Sequence, residues 1–207
     1  MRHPSRFGRP AAPLRLSGRR IVLRALTNSD FGAWSEVRRA NEDWLLPWEP
    51  RRAAGQPDPT VDEGAFAARC AARDRDRQND AAYPFGLFVD DRFAGEVNLN
   101  NIVRGALQSG TVGYWIDRRR AGHGYVAEAV VVLSSFAFEQ IHLHRLEICI
   151  VPRNVNSRRV MDKLQYRCEG IAERFLEIDG VWEDHLRYAI TLEEWERRCD
   201  ELAAQWL

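Results

Sequence analysis

Three arginines and two glycines fall together in Arg118-Arg-Arg-Ala-Gly-His-Gly124. Glycines let the backbone turn sharply and leave its N–H groups uncovered. The apolar residues that follow, at positions 126, 129, 130, 133, 136 and 137, have the one-face spacing of a helix. A helix starting there points unpaired N–H donors and the positive end of its dipole back at the turn. The chemistry this arrangement suits is the binding of a phosphate-type anion, with Arg118, Arg119 and Arg120 supplying charge beside it. The plain alternative is a tight turn carrying solvated arginines. A second reading is a dinucleotide fingerprint, since Gly122-x-Gly124-x-x-Ala127 fits it and Glu147 lies about twenty residues on. It ranks lower. Ile148-Cys149-Ile150 follow Glu147 and place it in mid-strand, and more than half the chain precedes the fingerprint.

These residues need elements to hold them. Residues 111–117, Thr-Val-Gly-Tyr-Trp-Ile-Asp, are aromatic and β-branched and read as a strand leading into the glycine turn. Before it, 20–25 reads as a first strand, and Asn28 or Ser29 can cap a helix through Phe31, Trp34 and Val37. Leu46-Pro-Trp-Glu-Pro50 follows, its prolines fixing the backbone around Trp44 and Trp48. Those tryptophans either fill the core or wall a cleft. A helix over 61–78 places Phe66 and Cys70 inward. Strands at 83–89 and 92–103 join through Asp90-Asp91, with a bulge at Gly95, and form an antiparallel meander with 111–117. After the central helix come a strand at 144–151 that buries Cys149, a helix at 155–164 capped by Asn154, and a hairpin turning at Asp179-Gly180. A short helix closes the chain at 195–206.

At 207 residues the chain fits one domain over 14–207, with a frayed Arg-, Pro- and Gly-rich segment over 1–13. A formal net charge of zero argues against a nucleic-acid partner held by bulk electrostatics. The four cysteines show no close pair, and no set of His, Cys and acidic residues has metal-ligand spacing, so no metal is expected. No apolar run approaches the ~20 residues that span a membrane, and no signal peptide is evident. A cytoplasmic, reduced protein is expected.

Arg119-x-x-Gly122-x-Gly124 resembles the pyrophosphate-binding motif of the GNAT superfamily of N-acetyltransferases. Asn154-Val-Asn-Ser157 with Lys163-Leu-Gln-Tyr166 resembles that superfamily's Asn-x-x-Ser and Lys-Leu-Gly-Phe segment, Gln165 standing where glycine is usual. Asp179-Gly-Val-Trp-Glu-Asp-His185 and Leu46-Pro-Trp-Glu-Pro50 resemble its RimJ/RimL-type branch, the ribosomal-protein-alanine N-acetyltransferases. The resemblance covers residues 14–195, nearly the whole chain. It implies an α/β (α+β) fold with a mixed, mostly antiparallel sheet, flanked by helices and splayed between its fourth and fifth strands, here 111–117 and 144–151. It also implies acetyl-CoA as cosubstrate, its pyrophosphate held by Arg119, Arg120, Ala121, Gly122, His123 and Gly124. Backbone groups of Trp115 and Ile116 would hold the pantetheine arm, with Asn154 and Ser157 beside it.

Such a reaction needs no enzyme nucleophile, because a thioester is already activated; it needs a neutral amine held in line. Ser157 is the candidate for the leaving thiolate, or it is an ordinary first-turn serine. Relatives use a tyrosine about seven residues past the asparagine as acid, and here that position is Met161. Glu96 and Glu177 are the candidate bases, and Trp44, Trp48 and Tyr114 the candidate acceptor contacts. His185 is expected to brace Asp184 or the backbone. The implied acceptor is the N-terminal amine of a protein, possibly ribosomal. A small-molecule amine such as an antibiotic or polyamine is the nearest rival, and a non-catalytic CoA-binding regulatory module the next.

Overall fold

The computed structural model describes residues 14–207, so the frayed segment expected over 1–13 lies outside the described residues. In chain order the elements are β1 (Arg15–Ser17), β2 (Ile21–Arg24), α1 (Phe31–Ala40), α2 (Glu42–Leu45), α3 (Glu63–Gln78), β3 (Tyr83–Val89), β4 (Arg92–Val103) and β5 (Ser109–Ile116). Then follow α4 (Tyr125–Ser135), β6 (Arg145–Ile150), α5 (Val155–Leu164), β7 (Arg167–Ile178), β8 (Val181–Thr191) and α6 (Leu192–Trp206). The strands form one sheet in the order β1-β2-β3-β4-β5-β6-β8-β7. Every neighbouring pair is antiparallel except β5 and β6, which α4 joins as a parallel crossover. This is the mixed, mostly antiparallel sheet that the sequence implies.

Side-chain alternation sorts the two faces. Leu87 packs into the larger core around α4, while its neighbour Phe88 joins Trp34, Phe66 and Phe93 beneath α1 and α3. Both tight hairpins use residues with positive φ, Asp90 (51°) with Asp91 (57°) and Asp179 (47°) with Gly180 (81°), the turn whose twist matches that of paired strands. The bulge expected at Gly95 lies beside it. The β3–β4 register shifts between Leu87 and Phe88, whose partners are Gly95 and Phe93. A Cβ on Gly95 would stand 2.2 Å from the Trp115 carbonyl oxygen, so only glycine lets β4 and β5 approach there.

Several expectations are corrected. β1 is too short for periodicity to reveal. Neither Asn28 nor Ser29 caps α1; a 3-10 turn leads into it, fixed by Asp30, whose carboxylate accepts from the Thr27 amide at 2.8 Å. α6 begins at Leu192 because Thr191 and Glu194 form a capping box. Cys149 is half-buried rather than buried. The one-face reading of the central helix was too narrow, since α4 is buried continuously from Val126 to Ser134, with α5 and α6 as well as the sheet around it. Glu128 on that helix is wholly enclosed, and its carboxylate accepts from the Arg20 amide (2.6 Å) and Arg20 Nε (2.8 Å). Arg20 also donates to the His123 carbonyl at 3.0 Å and so ties the glycine turn to the sheet.

Gln165 ends α5 in the left-handed conformation, at φ 52°. That explains why glycine suits this position, because a Cβ is disfavoured there. Gln165→Gly is expected to raise stability by about 0.5–1 kcal/mol, read as a higher urea midpoint at unchanged slope. No helix among the described residues is long and apolar enough to cross a membrane.

Candidate active site

The site originates in a failed strand pair. β5 and β6 pair only at Ser109 with Arg145, Gly110 with Leu146 and Thr111 with Glu147. Beyond those residues each strand stays on its other neighbour, β5 on β4 as far as Ile116 and β6 on β8 as far as Ile150. The sheet is therefore open between them. The Asp117 amide donates to Ala94 O at 2.7 Å, which fixes the phase of the β4–β5 ladder. By alternation Trp115 faces β4, and it is the backbone groups of Tyr114 and Ile116 that face the gap. The expectation for Trp115 shifts accordingly to Tyr114. The Ile116 carbonyl accepts from Trp44 Nε1 at 3.2 Å, leaving the Ile116 amide and the Tyr114 groups for a ligand.

At the end of β5 the chain enters a short 3-10 turn, Arg118–Arg120, and then the two glycines. The Arg118 amide donates to Asn41 Oδ1 (2.8 Å), Arg119 to Asp117 Oδ1 (3.1 Å), Arg120 to the Asp117 carbonyl (2.8 Å) and Ala121 to the Arg118 carbonyl (3.2 Å). These amides are spent within the loop, which corrects the expectation that Arg119 to Ala121 offer theirs to an anion. The donors left over are those of Gly122, His123, Gly124 and the first turn of α4. Both glycines have positive φ, 84° and 85°, and nothing lies within 4 Å of where a Gly122 Cβ would stand. That uncovered backbone at a helix N-terminus fits a diphosphate. Burial would raise the Asp117 carboxyl, but hydrogen bonds from Arg119 and Asn41 hold it below its ordinary value, so it stays ionised and keeps the loop in shape.

Gap and loop open into one cavity of about 430 Å³. The structure brings Trp44, Trp48, Tyr114, Trp115, Ile116, Arg120, Ala121, Gly122, Gly124, Asn154 and Ser157 into its wall. Asn154 caps α5, its Oδ1 accepting from the Ser157 amide at 3.1 Å. Ser157 Oγ donates to the Tyr114 hydroxyl at 3.0 Å, which in turn donates to the Ser157 carbonyl at 3.2 Å. Burial pushes the Tyr114 phenol well above its ordinary value, so it is a neutral donor at physiological pH. Met161 is fully buried in the core and takes no part.

Other expected residues are not brought in. Arg119 and His123 line a separate cavity with Arg24, Asp30 and Arg92, on the other side of the loop. Glu96 is 1% exposed beneath α1 and α3, where it accepts from Trp34 Nε1 (2.6 Å), Arg69 (2.8 Å) and Arg73 (2.8 Å). Burial would raise its carboxyl, but the Arg73 and Arg69 guanidiniums and the indole N–H bring it down to about 2. A carboxylate so committed cannot take a proton at neutral pH, and Glu96 is set aside as a base. Glu177 lies exposed on the β7–β8 hairpin, outside the cavity wall, and is set aside too. His185 Nδ1 meets the Glu183 carbonyl at 3.0 Å, the backbone brace expected of it. Glu147 sits in mid-strand against Arg145 (2.7 Å) and Arg187 (2.8 Å), so it is not a free ribose-binding acid.

Sequence reasoning missed the cations Arg159 and Lys163 in the wall. Their i, i+4 spacing on α5, on the face that also carries Asn156 and Val160, was the available signal. Glu49 was legible only as part of Leu46-Pro-Trp-Glu-Pro50, the motif that resembles the RimJ/RimL branch, with no role given to its side chain. Among the described residues no group of His, Cys, Asp or Glu could hold a metal ion.

Comparison with known proteins bears on the family and the fold. A family model described as "Acetyltransferase (GNAT) domain" matches residues 20–167. The chain is 37% identical over 177 residues to the probable N-acetyltransferase YjcK of Bacillus subtilis, covering 84% of this chain and 96% of that one. It is 30% identical over 184 residues to the [ribosomal protein uS5]-alanine N-acetyltransferase of Escherichia coli, covering 88% and 93%. The solved structure of Mycobacterium smegmatis RimJ in complex with CoA-disulfide superposes with a TM-score of 0.83 at 32% identity, covering 92% and 95%.

Proposed function

Because the chain belongs to the acetyltransferase (GNAT) domain family, we propose that it moves an acetyl group from acetyl-CoA to the N-terminal α-amine of a protein. The observation that carries the cofactor assignment is the break in the ladder between β5 and β6, ending at a loop of bare amides. Likeness to the uS5-alanine enzyme over 88% of this chain supports a ribosomal protein as acceptor and the cytoplasm as the place of reaction.

Acetyl-CoA, when bound, supplies an acyl group already activated as a thioester. Gly122, Gly124 and the first turn of α4 would grip its diphosphate, with Arg120, Arg159 and Lys163 as nearby cations. The Ile116 or Tyr114 amide would donate to the carbonyl oxygen as charge develops on it. Trp44 and Trp48 would hold the acceptor in line with the carbonyl carbon. An α-amine, with a reference pKa of about 8, is partly neutral at physiological pH, so solvent suffices to deprotonate it. The Tyr114 hydroxyl, held by the Ser157 Oγ–H, would turn from the Ser157 carbonyl to donate to the departing sulfur.

Ser157→Ala and Tyr114→Phe are each expected to lower kcat about tenfold, the worth of one neutral hydrogen bond made in the transition state. Acetyl-CoA affinity should stay within about twofold of wild type. Unchanged turnover in both variants would return the pair to a packing role.

The reading is tested by incubating the protein with acetyl-CoA and a mixed library of N-terminal peptides, then locating the added acetyl group by mass spectrometry. Acetylation of α-amines, alanine-first peptides among them, supports it. Acetylation confined to polyamines or aminoglycosides would change the acceptor class. Tight CoA binding with no product would make the protein a CoA-binding module, and calorimetric binding of NADH alone would overturn the cofactor.

A further inference from the structure

Glu49 is the one carboxylate in the cavity wall among the described residues; the other charged side chains there are Arg120, Arg159 and Lys163. The cations belong to the glycine turn and to α5, the end that suits a phosphate-bearing cofactor. Glu49 stands beside Trp48 on the loop that follows α2, an element that carries none of those cations. The cavity is therefore polarised, and a positively charged acceptor has one place in it where its charge is met.

Glu49 is also held in position before any ligand arrives. Arg38 donates to both of its oxygens, NH1 to Oε1 and NH2 to Oε2, at 2.7 Å each. The Glu49 amide donates to the Leu46 carbonyl at 3.3 Å, and its own carbonyl accepts from the Asp179 amide at 3.0 Å, which pins the loop to the tip of the β7–β8 hairpin. A carboxylate offers about four lone-pair sites, and a bidentate guanidinium uses two. The Glu49 side chain keeps 28% of its surface exposed, so the remaining sites are reachable. The other acids of this region stand outside the cavity wall. Asp179 pairs with Arg51 at 2.8 Å, Glu183 with Arg153, and Glu96 is sealed beneath α1 and α3.

Building on the acetyl-transfer reading, we propose that Glu49 is the acceptor anchor: its carboxylate, aligned by Arg38, receives the N–H groups of the incoming amine and selects a cationic acceptor. The same contact favours product release: the ammonium gives up its proton to solvent before the amine attacks, the adduct sheds a second as the thiol leaves, and the resulting amide carries no charge for Glu49 to hold. Trp48, whose other partner is the Arg153 guanidinium at 4.7 Å, would flank the anchored residue.

The test compares an alanine-first peptide with its N-acetylated copy, titrated calorimetrically against wild type and Glu49→Gln in the presence of CoA, which has no acyl group to transfer. Wild type should bind the free amine more tightly than the acetylated copy. Glu49→Gln should bind the free amine about tenfold more weakly, as for loss of a charge-assisted hydrogen bond, and the acetylated copy equally well. Glu49→Asp should recover part of the difference. In turnover, the KM for peptide should rise with the KM for acetyl-CoA unchanged. No preference for the free amine in wild type, or an equal loss for both peptides in Glu49→Gln, would overturn the anchor. Failure of the acetyl-transfer reading shows separately, as absence of product from wild type with acetyl-CoA.

Discussion

Gly122→Val is expected to weaken coenzyme A binding about 100-fold, some 2.7 kcal/mol, while the protein remains folded. The residue holds φ at 84° with nothing within 4 Å of its would-be Cβ, so there is open space where the added side chain begins. The damage comes from two other sources. A β-branched residue is strained at positive φ and drags the loop away from that conformation. Its methyl groups also occupy the space through which a diphosphate reaches the Gly122 amide. Gly124 is the less informative site, although it too has positive φ, because its Cβ would stand 3.0 Å from the Trp206 ring and disturb α6 directly. Calorimetry with CoA, beside a thermal melt, checks the prediction. Undiminished affinity in a folded Gly122→Val protein would remove this loop from the cofactor site.

The second large effect falls on stability. Glu96→Ala is expected to cost about 3–5 kcal/mol, the usual consequence of breaking a buried ion pair by deleting one partner. Arg69 and Arg73 would be left facing each other, and the Trp34 N–H would lose its acceptor. The pH dependence has a definite sign. Glu96 is held at about 2 in the folded protein, below the ordinary value near 4.3 of an unfolded chain. Its stabilisation is therefore fully present above about pH 4.3 and is lost as pH falls towards 2. Urea titrations at pH 7 and pH 3 should show the gap between wild type and variant narrowing at the lower pH. A gap that widens, or a variant as stable as wild type, would contradict the buried cluster.

Much of this architecture is legible in local patterns. Strands β3 and β4, both Asp-centred hairpins, the Asn154 cap and the glycine turn each carry their information within a few residues. What was not legible depends on contacts distant in sequence. Glu96 looked like any strand carboxylate until Arg69 and Arg73 closed over it from α3. Glu49 stood in a legible motif, but what holds its side chain and carbonyl, Arg38 and the Asp179 amide, lies outside it. Tyr114 gained a partner 43 positions away in Ser157, and α4 proved buried on every side because α5 and α6 cover what an amphipathic reading left to water. The phase of β5, which decides whether Trp115 or Tyr114 faces the gap, follows from its pairing with β4 rather than from its own residues.

The most direct measurement is a crystal structure of the protein with coenzyme A. The diphosphate is expected on the amides of Gly122, Gly124 and the first turn of α4, with the pantetheine arm running along Tyr114 and Ile116 between β5 and β6. An empty loop, or β5 and β6 paired along their full length with the nucleotide bound elsewhere, would contradict the account.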